Sequence, residues 1–372
     1  MKRVLHIMGG LKRGGLESFA MNIYRAINRQ EFQFDFLLTH VFGGDYEEEA
    51  KALGANIYYV APRNSGYRAY TKALDEFFSQ HNEYVAVHFH ISSLSSIEPL
   101  VYAKKYRIPV RILHSHSSSI QKSIRFNWAH KILHYVNKMR IHYLATHYLA
   151  CSDKALDWMY KYSGVRSKAI IVNNGIDCSQ YKYNVDIRAD VRREFNIKTE
   201  DIVIGHVGRF IPLKNQSFLI DILEALCERM QNIKLMLIGE GDTFEDIKLK
   251  AENKNLSNSI IFTGVRSDVN RLLQAIDVFV MPSLFEGLPV SLVEAQASGL
   301  PIVASDTISH DSDITGTILF KSIKDTPFDW GENILQWKDK VGRPNNIAKL
   351  KDAGFDSITT VELLKTIYLN IV

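Results

Sequence analysis

Short apolar runs alternate with helix-length amphipathic segments along almost the whole of this chain, and the alternation starts afresh part-way through. Such a pattern is that of parallel strands joined by crossover helices. The first series of strands is expected over residues 4–8, 34–39, 57–60, 84–89, 110–114, 148–152 and 169–172. The second is expected over 202–207, 234–238, 260–262, 278–281 and 302–304. Between them Asn173-Asn174-Gly175-Ile176-Asp177 opens a turn-rich polar stretch that reads as a linker up to about residue 191. The expected fold class is α/β, with two Rossmann-like doubly wound domains facing across a cleft, residues 1–173 and 174–354. A length of 372 residues, more than one hydrophobic core usually supports, agrees with two domains. Val361, Leu363, Leu364, Ile367 and Tyr368 recur at helical spacing, so residues 355–372 are expected to end the chain as a packed helix.

Composition removes several function classes. Cys151, Cys178 and Cys227 are far apart and form no C-x-x-C pair, which argues against a zinc framework or a disulfide scaffold and for a reducing compartment. The apolar run at the N-terminus is too short for a signal peptide, and no stretch is long enough for a membrane span. A cytoplasmic protein is expected. The net charge of +4 is small but unevenly spread. Between Glu98 and Asp153 stand Lys104, Lys105, Arg107, Arg111, Lys122, Arg125, Lys131, Lys138 and Arg140, together with six histidines and no carboxylate. This tract reads either as a solvated basic face or as a contact for an anionic membrane surface or a pyrophosphate-bearing acceptor. It lacks a recognition module, so no nucleic acid is expected.

The segment richest in chemistry is Phe285-Glu286-Gly287-Leu288-Pro289-Val290-Ser291-Leu292-Val293-Glu294-Ala295, directly after the strand expected at 278–281. Pro289 suits the first turn of a helix, Gly287 allows close backbone approach, and the free amides of a helix start favour a diphosphate. Glu286 before the helix and Glu294 inside it can touch different parts of one extended ligand; capping and a buried ion pair are their plain structural alternatives. Gly208-Arg209-Phe210-Ile211-Pro212-Leu213-Lys214 follows the strand at 202–207 and places two cations at a strand end, where they can do the charge neutralisation a divalent metal would otherwise do.

The first strand leads into Gly9-Gly10-Leu11-Lys12-Arg13-Gly14-Gly15-Leu16-Glu17, a glycine loop entering a helix. It lacks the G-x-G-x-x-G spacing and a convincing acidic partner, Asp35 standing only near the start of the next strand, and Walker A is absent. A nicotinamide enzyme and a P-loop nucleotidase are therefore disfavoured. His114-Ser115-His116-Ser117 closes the strand at 110–114; the two imidazoles share a face and could ligate metal, but no third ligand is evident, and hydrogen bonding to a sugar or a structural role are the other readings. Asp311-Ser312-Asp313 has the look of a metal-binding D-x-D, but in a polar loop it reads as a chance pair.

With these motifs in this order the chain resembles glycosyltransferase family 4, the retaining nucleotide-sugar transferases of GT-B fold, of the type that builds bacterial exopolysaccharides and capsules. The resemblance rests on the glycine loop, His114-Ser115-His116, Asn174-Gly175-Ile176-Asp177, Gly208-Arg209 with Lys214, Phe262-Thr263-Gly264-Val265, and the pair Glu286 and Glu294 spaced E-x7-E. It implies a cytoplasmic hexosyl- or N-acetylhexosaminyltransferase, peripheral on the inner membrane face, moving sugar from a nucleotide diphosphate donor, a UDP-sugar by family habit, to a lipid-linked carbohydrate acceptor. No cofactor and no metal are implied. Gly14 and Gly15 would approach the donor phosphates, Arg209 and Lys214 would bind the diphosphate, and Val265 would meet the base. Glu294 would hold the ribose, while Glu286, Gly287 and Leu288 hold the transferred sugar with His114 close by and His116 as a further sugar or acceptor contact. The resemblance also implies that the helix ending at residue 372 crosses back to the first domain. After Ala304-Ser305-Asp306 the chain departs from the family's Gly-Gly and acidic pattern, which leaves sugar specificity open. A nucleotide-sugar 2-epimerase and a non-catalytic nucleotide-sugar-binding protein are the alternatives; the E-x7-E pair favours transfer over epimerisation.

Overall fold

The structure, a computed structural model, describes residues 1–12, 14–39, 43–117 and 127–371. These form two compact units: residues 1–176 with 354–372, and residues 177–353.

The first unit is built on seven strands: β1 Lys2–Met8, β2 Phe32–Leu38, β3 Ile57–Tyr59, β4 Ala86–Ile91, β5 Val110–Ser115, β6 His147–Ala150 and β7 Ala169–Ile171, in the order β3-β2-β1-β4-β5-β6-β7. Every neighbouring pair is parallel. β2 is buried at all seven positions, as expected of a strand covered on both faces by crossover helices. The strand order reverses between β1 and β4, the switch point at which such sheets open a ligand crevice. Helix α1, Gly15–Ala26, follows β1 and lays Phe19, Ala20, Ile23 and Tyr24 on the sheet. Helix α2, Asn127–Lys138, lies between β5 and β6.

The second unit repeats the plan with β8 Ile202–Val207, β9 Ile233–Ile238, β10 Ile260–Gly264, β11 Val278–Met281, β12 Ile302–Ser305 and β13 Ile318–Lys321, ordered β10-β9-β8-β11-β12-β13 and again parallel throughout. Its switch point falls between β8 and β11. Helix α3, Gln216–Cys227, and helix α4, Val290–Ala297, begin just beyond the carboxyl ends of those two strands. The final helix α5, Ser357–Tyr368, belongs to the first unit, where Val361, Leu364, Ile367 and Tyr368 join the core beside Val4, Phe32 and Phe34.

Three local expectations need correcting. The stretch expected as a polar linker up to about residue 191 holds a helix, residues 185–194: Asn184 caps the helix by accepting hydrogen bonds from Asp186 N and Ile187 N, and Arg188 and Arg192 clamp Asp277 at 2.6 and 2.9 Å. β13 has no counterpart in the expected strands. Asp313, the second carboxylate of the D-x-D, accepts hydrogen bonds from the amides of Gly316 and Thr317 and so shapes the turn into β13. Finally, β4 runs to Ile91 rather than stopping at residue 89, because its ladder continues opposite His114 and Ser115.

Candidate active site

In the second unit the chain leaves β8 at Gly208 and leaves β11 at Pro282, and the two loops are tied to each other. Leu284 N donates to Leu213 O at 2.8 Å, and Asn215 Nδ2 donates to Pro282 O at 3.2 Å. Asn215 sits in the left-handed region, φ 55°, which turns the chain into α3. On this frame Lys214 Nζ reaches Glu286 Oε1 at 2.7 Å, both side chains being largely buried. Glu286 is pinned further by a parallel bridge to Ile308, while Thr307 Oγ1 donates to Ser283 O at 2.8 Å. Glu286 thus faces a cation rather than capping α4.

Beyond Glu286, Gly287 is exposed, with open space where a side chain would stand, and Leu288 is half-buried. Pro289 is the N-cap of α4 rather than a residue of its first turn, and no side chain satisfies the helix start. Its first amides are left for a ligand or water. Glu294, on the next turn of α4, accepts a hydrogen bond from Tyr181 Oη at 2.8 Å. Desolvation raises its pKa and the Tyr181 bond partly offsets that. Arg209 is exposed, with Asp242 at 3.9 Å as a loose partner, so its guanidinium is available. Val265 is exposed directly after Gly264, which takes φ 68° at the end of β10.

Sequence reasoning missed Gly239-Glu240-Gly241, the turn after β9 that locks these strand ends together. Gly239 N donates to Gly264 O and Phe210 N donates to Glu240 O, both at 2.9 Å. Both glycines have positive φ, and a Cβ on Gly239 would lie 2.3 Å from Gly208 O. Two glycines one residue apart straight after an apolar strand were the available signal.

In the first unit Gly14 is the N-cap of α1 with no side-chain cap, and Gly15 opens the helix beside Asn174, whose amide nitrogen would be 3.8 Å from an added Cβ. Asn22 Nδ2 donates to Gly175 O at 3.1 Å, so the Asn174-Gly175 segment is held against α1. Arg13 lies outside the described residues. Asp35 accepts from Arg3, Tyr84 and Asn56 N, so its carboxylate is bound up within the fold.

Residues 187–315 match the family described as Glycosyl transferases group 1, and residues 13–180 match the one described as Glycosyltransferase Family 4. The chain is 33% identical to the putative glycosyltransferase EpsF of Bacillus subtilis (strain 168) over 99% of its own length and 96% of that protein's. The chain belongs to glycosyltransferase family 4. It is also 27% identical, over 100% of this chain and 99% of the other, to the capsular polysaccharide biosynthesis glycosyltransferase CapH of Staphylococcus aureus. Among solved structures, Anabaena Alr3699/HepE in complex with UDP and glucose is similar with a TM-score of 0.76 at 16% identity, covering 98% of each chain. WaaG, a glycosyltransferase involved in lipopolysaccharide biosynthesis, is similar with a TM-score of 0.69 at 17% identity, over 98% of this chain and 99% of the other. At that identity the likeness is one of fold, and the fold is GT-B.

The two histidines flagged in the transferase's sequence are not alone. His6 on β1, His88 and His90 on β4, and His114 at the end of β5 project from one face of the sheet together with His116. The absence of a third ligand for His114 and His116, expected from sequence, is therefore corrected: the fold brings three more imidazoles to them. His114 is fully buried, with Nδ1 bonded to His88 Nε2 at 3.0 Å, and His116 is half-buried, with Nε2 bonded to His90 Nδ1 at 2.9 Å. Desolvation holds all five rings neutral, His6 and His116 down to about 3.

The basic tract of the family 4 glycosyltransferase is less available than its sequence suggests. Lys122 and Arg125 lie outside the described residues. Lys138 is 4% exposed, its Nζ donating to Lys161 O and lying over the rings of Tyr135 and Trp158. Arg111 donates to the carbonyls of Leu144 and Ile108, and Lys105 pairs with Asp75 from outside the tract. Lys104, Arg107, Lys131 and Arg140 remain exposed. Beside Lys131 and Arg140, α2 and the turn after it expose an apolar stripe: Trp128, Ile132, Tyr135, Met139 and Tyr143. Among the described residues no helix is long and apolar enough to cross a membrane.

Proposed function

We propose that this glycosyltransferase moves a hexosyl or N-acetylhexosaminyl group from a UDP-sugar to a lipid-linked oligosaccharide, with retention of anomeric configuration and at a membrane surface. The observation that carries the donor part is the Lys214–Glu286 pair at 2.7 Å beside the open backbone of Gly287. Lys214 and the exposed Arg209 supply positive charge for the departing diphosphate, the term that dominates a reaction whose charge develops on the leaving group. Glu286, already neutralised by Lys214, is a poor covalent nucleophile. It serves instead as a hydrogen-bond acceptor for sugar hydroxyls, with the amides of Gly287 and Leu288 as donors. The leaving phosphate then assists attack from the same face. Glu294, steadied by Tyr181, accepts from the ribose hydroxyls, and Val265 lies along the base. Gly14 and Gly15 offer the uncapped start of α1 to the phosphates.

The membrane part is supported by the stripe on α2 and the turn after it, where aromatic and aliphatic side chains lie beside Lys131 and Arg140 as on helices in a bilayer interface. HepE, solved with UDP and glucose, supports the choice of uridine nucleotide. Calorimetry with uridine, guanosine and adenosine diphosphates in the presence of a chelator, on the native chain and on Glu294→Ala, tests the donor site. Selective binding of UDP that weakens in the variant is expected; binding of none of the three would overturn the reading.

A further inference from the structure

Five imidazoles packed on one apolar sheet face demand a hydrogen-bond account. His6, His88 and His90 are on adjacent strands, with His6 in register with His88 and His90 in register with His114. Two chains of bonds run through them. One joins His6 Nδ1 to His90 Nε2 and His90 Nδ1 to His116 Nε2, each at 2.9 Å. The other joins His114 Nδ1 to His88 Nε2 and His88 Nδ1 to Tyr368 Oη, each at 3.0 Å. Left over are His6 Nε2, His114 Nε2 and His116 Nδ1, all buried and without a hydrogen-bond partner among the described residues. Phe19 and Phe34 pack against the rings, and neither supplies an acceptor.

We propose that His90, His114 and His116 form a binding site for a zinc-class divalent metal ion, with His88, Tyr368 and His6 as the outer partners that fix the ligand rings. One nitrogen from each of the three lies within 4.8 Å of the others. A tetrahedral ion at about 2.0–2.1 Å from imidazole nitrogens needs them roughly 3.3 Å apart, so His90 Nδ1 and His116 Nε2 exchange their 2.9 Å hydrogen bond for the ion and part slightly, while His114 draws in. One of the three orphaned nitrogens, His114 Nε2, becomes a ligand in this set. It also contains the one half-buried ring, His116, which gives the ion a path from solvent and leaves a fourth position for water or an anion.

The protons balance without loss. His90 ligates through Nδ1 and keeps its proton on Nε2, donating to His6 Nδ1. His114 ligates through Nε2 and donates from Nδ1 to His88 Nε2, and His88 donates in turn to Tyr368 Oη. His116 ligates through Nε2 and carries its proton on Nδ1. Such outer-shell bonds set the tautomer and ring orientation of a ligand. An inner set, His6, His88 and His90, meets the same distance criterion but has no half-buried member.

The test uses the full chain without an affinity tag, stripped with a chelator and titrated with zinc by calorimetry and with cobalt by visible absorption. The expected result is one ion per chain, with tetrahedral cobalt bands. His116→Ala, at the half-buried position and so least disturbing to the core, weakens binding at least tenfold, and His90→Gln abolishes it; His88→Gln weakens it about 10- to 100-fold while the bands persist. Circular dichroism establishes that each variant is folded. Failure to bind either ion would overturn the proposal and leave the cluster as a hydrogen-bonded ladder. Full affinity in His116→Ala with loss in His6→Gln would overturn it in favour of the inner set. UDP binding, followed in parallel, reports on the donor site separately.

Discussion

Lys214 and Glu286 form an ion pair at 2.7 Å between the loops that leave β8 and β11, the two strands that flank the switch point of the second sheet. Each side chain is only 15% exposed, so the pair is more than a surface contact. Removing one partner leaves a poorly solvated charge behind. Lys214→Met should therefore lower stability by about 1–3 kcal/mol and kcat/KM by roughly 10²- to 10³-fold. The double variant Lys214→Met, Glu286→Gln should regain most of the stability and none of the activity. Thermal melts beside donor turnover check this; recovery of both together would remove the pair from the catalytic reading.

Two glycines in the same unit should behave oppositely. A Cβ at Gly239 would lie 2.3 Å from Gly208 O at φ 132°, so Gly239→Ala should destabilise the fold by several kcal/mol, as overpacking against backbone does. At Gly287 nothing lies within 4 Å, so Gly287→Ala should melt within about 0.5 kcal/mol of the native chain. If the donor approaches Gly287, that same variant should bind UDP-sugar at least tenfold more weakly. Calorimetry on Gly287→Ala separates the two outcomes.

Glu294 links stability to pH with a definite sign. Its folded-state pKa is raised by desolvation, so the native state holds the proton at pH values where the unfolded chain has released it. Native stability from this group is greatest below the raised pKa and falls as pH rises through the interval from the unfolded value, about 4.3, upward. Glu294→Gln, neutral throughout, should thus gain stability over the native chain as pH climbs above the unfolded-state value of Glu, while binding nucleotide more weakly. Melting curves across that interval decide it; a gap between the two proteins that does not widen with pH would remove Glu294 as its source.

On the membrane side, Ile132→Asp with Met139→Asp should reduce sedimentation with anionic vesicles at least tenfold, by placing charge in the stripe on α2 and the turn after it. Lys138→Gln should leave vesicle binding unchanged, because Lys138 is 4% exposed and engaged with Lys161 O. Equal loss in both would show that charge, not the stripe, governs binding.

The sheets were legible because parallel strands covered on both faces are apolar almost throughout, as β11 shows with Val-Phe-Val-Met. β13 was not, since Ile-Leu-Phe-Lys is too short to stand out after a polar loop. At the candidate donor site, Glu286, Lys214 and Glu294 were legible as motifs, but the partners Lys214 for Glu286 and Tyr181 for Glu294 follow only from the fold. The histidine cluster needed three strands to be placed in register. His88-Phe89-His90 carried an alternating signal, but a strand ended by hydrophobicity alone stops at Phe89 and leaves His90 outside. Lys138 was counted with the surface cations because sequence shows charge and not which face of α2 carries it.

Helix α5 completes a core whose other parts were laid down before residue 177. On the ribosome, the patch of the first core that receives Leu364, Ile367 and Tyr368 beside α1 stays uncovered while the entire second unit is being synthesised. The second unit, continuous in sequence, can close as soon as it emerges. The second unit can thus complete its core before the first unit does, although it comes later in the chain.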